Sequence, residues 1–432
     1  MAFFILWGIS IVSNPERYGA LWRHADFLKL WAAQSVSSFG ARITREGIPL
    51  AAVLTIHAPP AELGLLAALA QGPGLVVGLL AGGFVDRSRR RRILIAADIL
   101  RAAILLTVPV AAWLHLLSMV QLYVVAALAG AASVLFDIAD HAYLPSLIAR
   151  ADLMEGNTKL GVTESIAEIG GPALAGILVQ ALTAPIAIAV NAFTYLVSAA
   201  FLSTIGKIEA AAPAKQRAPI HRNLAVGLST IFDQPFVRPL FLITVSQPLF
   251  GGFFSALYVF YAIDVLHLTP AEMGVTIAVG GIGSLVGAVL AAPIARGLGV
   301  GRAILFTGLA SGLSSFFIVF AHGALVTAMA FLMLAQFFGD SLAVASIVSA
   351  TSLRQSVVPL EVMGRVAAVF RAGAGAPAIV GALVGGALAA HFGAREVLFA
   401  GSCGMVAAML WGVFSPLWRL AEMPVAREPE AG

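Results

Sequence analysis

Residues 38–50 read "SFGARITREGIPL", and three charges, Arg42, Arg45 and Glu46, stand within this otherwise apolar stretch. A second apolar run holds Glu164 and Glu168, four positions apart. On helices, residues at i and i+4 are neighbours about 6 Å apart, and two carboxylates that close resist joint ionisation in a water-poor setting. One of the pair can then hold a proton near neutral pH, beside arginines able to bind an anionic group or exchange ion pairs. The plain alternative is that each acid permanently neutralises Arg42 or Arg45. Both readings stand on sequence alone. Asp137 and Asp340, acids in other apolar runs, complete the candidate substrate and coupling set.

The charged stripe must lie on a helix. At about 100° per residue, Gln34, Ser35, Ser38, Arg42, Arg45 and Glu46 fall within an arc of roughly 120°. Arg42 lies about 20 Å along that helix from Lys29, too deep to snorkel to an interface. A charge there costs roughly 2.5 kcal/mol or more unless it faces a wet cavity or a partner. The expectation is a central cavity lined by this stripe, with Arg42 and Glu46 paired one turn apart. Asn157, Gly161 and Gly171 share the face of Glu164 and Glu168. Asp98 and Arg101, three apart, read as a structural pair, while Asp140 and His141 lie with Asp137 toward one end of their span.

Composition fixes the solvent. Of 432 residues, 60% are hydrophobic and 11% charged, with a mean hydropathy of +0.94. A soluble domain carries roughly 25% charged residues, so this chain belongs in a bilayer. The sequence pI near 9.5 reflects where basic loops sit rather than a nucleic-acid surface. Cys403 is the single cysteine, which excludes an intrachain disulfide and a cysteine metal site. No nucleotide-binding Gly-x-x-x-x-Gly-Lys-Ser/Thr loop is present, so ATP is not the driving force. No cofactor, metal or nucleic-acid partner is expected.

A window of roughly 20 residues gives twelve candidate spans, near 28–56, 62–85, 93–115, 119–146, 157–181, 184–206, 236–264, 271–296, 301–321, 323–352, 361–390 and 395–418. Alternate breaks are basic, from "DRSRRRR" at 86–92 through Arg150, the 207–222 segment, Arg296 with Arg302, and Arg354 with Arg365; the others carry only Arg395. The positive-inside rule then places both termini and the central loop in the cytoplasm. The expected domains are an N-terminal extension at 1–27, a six-helix bundle at 28–206, a cytoplasmic linker at 207–235, a second six-helix bundle at 236–420 and a tail at 421–432. The halves echo each other: "VVGLLAGGFVDRSRRRRIL" aligns with "LVGAVLAAPIARGLGVGRAIL", and "GGPALAG" with "GAPAIVG", placing Pro172 and Gly176 over Pro377 and Gly381. Duplicated six-helix units enclose a midplane site and rock about it, which is the design of a carrier.

From residue 20 onward the chain resembles the major facilitator superfamily. "GGFVDRSRRRRIL" is similar to that family's loop signature, with Gly82, Asp86, Arg87 and Arg90 in place and Arg89 where a second glycine is usual. The resemblance implies a conformational latch at these residues. "AADILRA", "AYLPSLIARADLMEGNTKL" and "SLRQSVVPLEVMGRVAAVFR" resemble bacterial exporters of the macrolide-efflux and enterobactin-exporter group. Gly171, Pro172 and Gly176 resemble part of an antiporter motif. That group usually places an acid directly after the glycine of span one; here Ala41 follows Gly40 and the acid is Glu46, on another side of the helix.

These resemblances imply an all-α fold of twelve transmembrane helices in two six-helix repeats, and a function in transport rather than catalysis. The expected activity is proton-coupled export of amphiphilic drugs or siderophore-like molecules, by a monomer in the bacterial inner membrane. The competing readings are an importer or uniporter of a small metabolite, a lipid-acting membrane enzyme built on His141, Asp137 and Asp140, and a non-transporting sensor.

Overall fold

The computed structural model describes residues 19–207 and 220–424, and the expectations for residues 1–18, 208–219 and 425–432 lie outside the described residues. Every regular element among the described residues is a helix. The first six long helices are α1 (Ala25–Ala51), α2 (Pro60–Leu80), α3 (Arg90–Trp113), α4 (Met119–Leu147), α5 (Leu153–Leu182) and α6 (Ala184–Ser203). The second six are α7 (Val237–Phe260), α8 (Pro270–Leu298), α9 (Val300–Ser314), α10 (Leu325–Val357), α11 (Leu360–Phe392) and α12 (Ala394–Ala408). Among the described residues, eleven spans are long and apolar enough to cross a membrane. The remaining one, α1, carries Asp26, Lys29, Arg42, Arg45 and Glu46, and these charges dilute its apolar length.

The helix ends reveal the repeat more sharply than the middles do. Both α1 and α7 finish in a π-helical turn, Ala52–Ile56 and Tyr261–Val265. Each turn leads to a histidine in the left-handed region, His57 at φ 59° and His267 at φ 56°. The chain then enters the next helix through the same Pro-Ala-Glu start, Pro60-Ala61-Glu62 and Pro270-Ala271-Glu272, with Gly64 and Gly274 following. Proline suits a first helical turn because its missing N–H has no intrahelical partner there. Thr269 and Glu272 add a reciprocal capping box at α8.

These starts lie on the face opposite the basic loops, and there the two halves close on each other. A Cβ on Gly64 would stand 2.5 Å from the Ala382 carbonyl oxygen, and one on Gly386 2.7 Å from the Pro60 carbonyl oxygen, so α2 and α11 touch backbone to backbone. The pseudo-symmetric seam joins α5 and α8: Gly176 lies against the Pro270 carbonyl, and Gly274 against the Pro172 carbonyl. The structural mate of Gly176 is therefore Gly386, not Gly381, which packs on the Leu249 carbonyl inside its own half. The Ala271 N–H donates to Gln180 Oε1 at 3.2 Å across the α5–α8 seam.

Apolar packing follows the same division. Near the closed face one cluster joins both halves, uniting Leu63, Val179 and Ile188 with Val259, Ile263 and Met273. At the basic face each half keeps its own: Phe27, Leu94 and Tyr143 in the first, Ile231, Val366 and Phe370 in the second. The molecule is sealed at one face and parted at the other. Part of the segment expected as a linker is helical, Ile220–Asp233, and its Gly227 lies against the Arg365 carbonyl and Val369 of α11.

Candidate functional site

The parted face leads into a cavity of about 590 Å³ lined from α1, α3, α4 and α5. Gln34, Ser38, Arg42 and Arg45 of the stripe line it from α1, joined by Ser37 and Ala41, which the stripe does not include. Ser35 turns back to donate to the Trp31 carbonyl at 2.7 Å, and Glu46 is buried. The helices come close enough because glycines thin the contacts. Gly40 leaves room for Asn191 and Thr194 of α6. A Cβ on Gly171 of α5 would lie 2.5 Å from the Arg42 Cβ.

That second contact decides the ion pairing. The Arg42 stem fills the space beside Gly171, which delivers its guanidinium to α5, where it pairs with both Glu164 and Glu168. The expected Arg42–Glu46 pair does not form. Glu46 instead accepts from its neighbour, Arg45 Nε, at 3.0 Å, and Arg45 Nη1 reaches Glu168 Oε1 at 3.4 Å. Ser38 Oγ donates to Glu164 Oε2 at 2.7 Å. The result is a chain of alternating sign: Glu164, Arg42, Glu168, Arg45, Glu46. An acid stands at both ends, so the chain holds one carboxylate more than it has cations. In this conformation Glu164 and Glu168 are both ion-paired.

Asp137 and Asp140 line the same space, and Asp340 lies outside the lining of both this cavity and its neighbour. Asp137 lines the cavity and makes no ion pair or side-chain hydrogen bond among the described residues. Asp140 accepts from Gln34. His141 Nδ1 donates to the Asp137 carbonyl at 2.7 Å, an attachment to its own helix rather than to a carboxylate. Asp340 arrives from the other half on α10, seated against Gly280 of α8, where a Cβ would overlap its carboxylate. The charges acting on it are Glu168 and Arg45, which explains why no cation is visible near it in sequence.

Asp98 and Arg101 form the expected structural pair, both buried. Ser198 Oγ donates to Asp98 Oδ2 at 2.7 Å, and Arg101 lies between the rings of Phe136 and Tyr195, 4.2 and 4.1 Å from their centroids. Removing one partner of a buried pair strands the other charge, at a cost of about 3–5 kcal/mol. Asp98→Ala is therefore expected to lower the melting temperature of the purified protein far more than Asp137→Ala does. Equal melting temperatures would remove this structural role.

A second chamber continues inward from the first. It holds about 310 Å³ and is lined mostly by apolar residues of both halves, among them Ile48, Leu63, Leu66, Leu105, Ala126 and Val259. Ala41, Arg45 and Ser133 border both chambers. Sequence reasoning missed Ser133 and this chamber, because an apolar cavity wall has the same residues as a packed core. The aromatics at 253–261 are mostly packed: Phe253 is buried, Tyr261 Oη donates to the Ala321 carbonyl at 3.1 Å, and Tyr258 Oη lies 3.1 Å from Thr276 Oγ1. Gly82 and Asp86 of the loop signature sit in a short helix, Gly82–Arg87, and the expected latch of Asp86 lies outside what is described.

Residues 30–382 match the family model described as Major Facilitator Superfamily. The multidrug efflux pump Tap of Mycolicibacterium fortuitum is 26% identical over 366 residues, covering 83% of this chain and 87% of that protein. Among solved structures, an inward-facing bacterial homologue of the iron transporter ferroportin superposes with a TM-score of 0.71 at 16% identity, covering 90% of this chain and 98% of that one. The outward-facing state of such a homologue gives 0.57. The nucleoside transporter NupG gives 0.72 at 12% identity, with 90% of this chain and 98% of that chain covered.

Proposed function

Because this chain belongs to the Major Facilitator Superfamily, we propose that it is a proton-coupled exporter of amphiphilic small molecules, working by alternating access. The observation that carries the reading is the joined pair of chambers meeting at Arg45, one charged and one apolar. An amphiphile fits such a space with its apolar body in the inner chamber and its polar end among Arg45, Arg42 and Glu164 of the charged one. A pocket that is largely apolar with a few placed charges binds by area and orients by charge.

Direction follows from charge placement. Arg87, Arg89, Arg92, Arg150, Arg302, Arg354 and Arg365 lie at the parted face, and the positive-inside rule makes that face cytoplasmic in a bacterial inner membrane. The cavity then loads from the cytoplasm, a reading supported by the greater likeness to the inward-facing ferroportin homologue. The similarity to an efflux pump supports export. Both halves and both chambers belong to one chain, which supports a monomer as the working unit.

Coupling rests on Glu164 and Glu168. Both are bound to Arg42 while the cavity is open, and a proton arriving from the far side would compete with Arg42 for one of them. In inside-out vesicles with an acid interior, reported by a pH-quenched dye, a transported compound is expected to release protons and dequench the dye. The panel is lipophilic cations, macrolides and catecholate siderophores. Silence across it with the protein present, together with substrate-driven uptake into whole cells, would replace export with import.

A further inference from the structure

The arginine run after α2 does more than set topology, because its members point to different places. Arg91 is turned into the protein, its Nε donating to the Leu202 carbonyl at 2.8 Å and its guanidinium reaching the Ser203 carbonyl, which ties α3 to the end of α6. Arg87, Arg89 and Arg92 instead line an outward groove of about 650 Å³ with Phe84, Ala96 and Leu100. None of these three arginines makes an ion pair or hydrogen bond among the described residues, and no acid is among the described groove-lining residues.

The groove faces the bilayer. Phe84 is 59% exposed and Leu100 51%, on the outer side of the first half, and the groove shares no lining residue with either chamber. Its floor is Ala132 and Leu135 of α4, and small Ala96 keeps its wall low. From Arg92 to Leu100 the groove descends about 12 Å at 1.5 Å per residue. Three cations stand at the interface, and an apolar trough leads from them into the hydrocarbon. Basic pockets of this kind at the cytoplasmic surface suit anionic headgroups, each arginine adding roughly a fivefold preference.

We infer that Arg87, Arg89, Arg92 and the α3–α4 groove form a binding site for an anionic phospholipid of the inner leaflet. The phosphate and any second headgroup charge sit among the guanidiniums, and one acyl chain lies in the trough over Ala96. Topology alone needs the charges but not the trough, and the trough alone would accept any lipid. The two together select for charge. Because the site lies outside both chambers, it does not depend on what the protein transports.

The full-length protein, stripped of lipid in detergent, would be offered phosphatidylglycerol or phosphatidylcholine of equal chain length, and retained lipid counted by native mass spectrometry. Wild type is expected to retain phosphatidylglycerol at least about tenfold better. Arg89→Gln/Arg92→Gln, which leaves only Arg87, should lower that preference to about fivefold or less. Ala96→Trp, which keeps every charge but fills the trough, should also lose retention, and it guards against a topology defect in the charge variant. Equal retention of the two lipids by wild type overturns the site, as does an Arg89→Gln/Arg92→Gln protein that keeps the preference. If millimolar inorganic phosphate displaces the lipid and Ala96→Trp binds normally, the arginines form an ion site only, and the inference is wrong.

Discussion

Glu164→Gln/Glu168→Gln is expected to insert and fold, and to lose the part of its transport that an imposed pH gradient drives. Coupling between two ligands of one carrier is typically worth 1–3 kcal/mol, so the gradient-dependent rate should fall by roughly 5- to 150-fold. The structure ranks the single variants. Glu168 contacts both Arg42 and Arg45, whereas Glu164 contacts Arg42 and Ser38, so Glu168→Gln should cost more than Glu164→Gln. The rival account makes the two acids permanent counter-charges. Under it the double variant strands Arg42 and lowers folded yield, and adding Arg42→Gln restores that yield. Dye dequenching in vesicles separates the two accounts. A double variant that pumps as fast as wild type across the same gradient would sink the coupling role.

How far the sequence led to this network depends on the range of each contact. Helical periodicity is local, so it placed Gln34, Ser38, Arg42 and Arg45 on one face correctly. It could not say which helix that face meets. Arg42 leans to α5 because Gly171 leaves its stem a slot, and that slot exists only once α1 and α5 pack. Glu46, one turn along α1, was the local guess, and its own neighbour Arg45 holds it instead. Asp340 is the extreme case. Its charged neighbours lie in the other half of the chain, beyond the reach of any window.

Helix existence was legible and helix ends were not, for a related reason. Hydropathy reports only the part of a helix that lies in lipid. The fifth span was expected from residue 157, yet α5 begins at Leu153, since the polar turn "LMEG" continues the helix into the interface. The repeat was read from the segment running through the loop after the second span and from the Gly-Pro segments of two later spans, where small residues recur often enough to align in more than one register. The Pro-Ala-Glu starts of α2 and α8 carried the true register in plain view. They place Gly386, not Gly381, opposite the seam that holds Gly176.

That register makes the second large prediction, since it separates glycines that close the gate from glycines that hold a half together. Gly386→Val is expected to drive the carrier away from the conformation described above without unfolding either half. A Cβ there would stand 2.7 Å from both the Gly64 Cα and the Pro60 carbonyl oxygen, atoms of the opposite half that cannot rotate aside. Overpacking of this kind costs about 1–3 kcal/mol. Here the halves relieve it by separating at the closed face, so the equilibrium between inward- and outward-open forms should shift by roughly 5- to 150-fold. Gly176→Val, against the Pro270 carbonyl, should act the same way through the other seam. Gly381→Val is the contrast, because its clash with the Leu249 carbonyl lies within one half and nothing short of partial unfolding relieves it. With Cys403→Ser as background, a cysteine at Asn157 in the cavity mouth reports opening toward the basic face. Maleimide labelling at Asn157→Cys should slow in Gly386→Val and Gly176→Val while their melting temperatures stay near the parent's. Gly381→Val should melt early instead. If Gly386→Val labels at the parent's rate, the α2–α11 seam is not a gate, and the closed face is a fixed hinge about which the basic ends alone move.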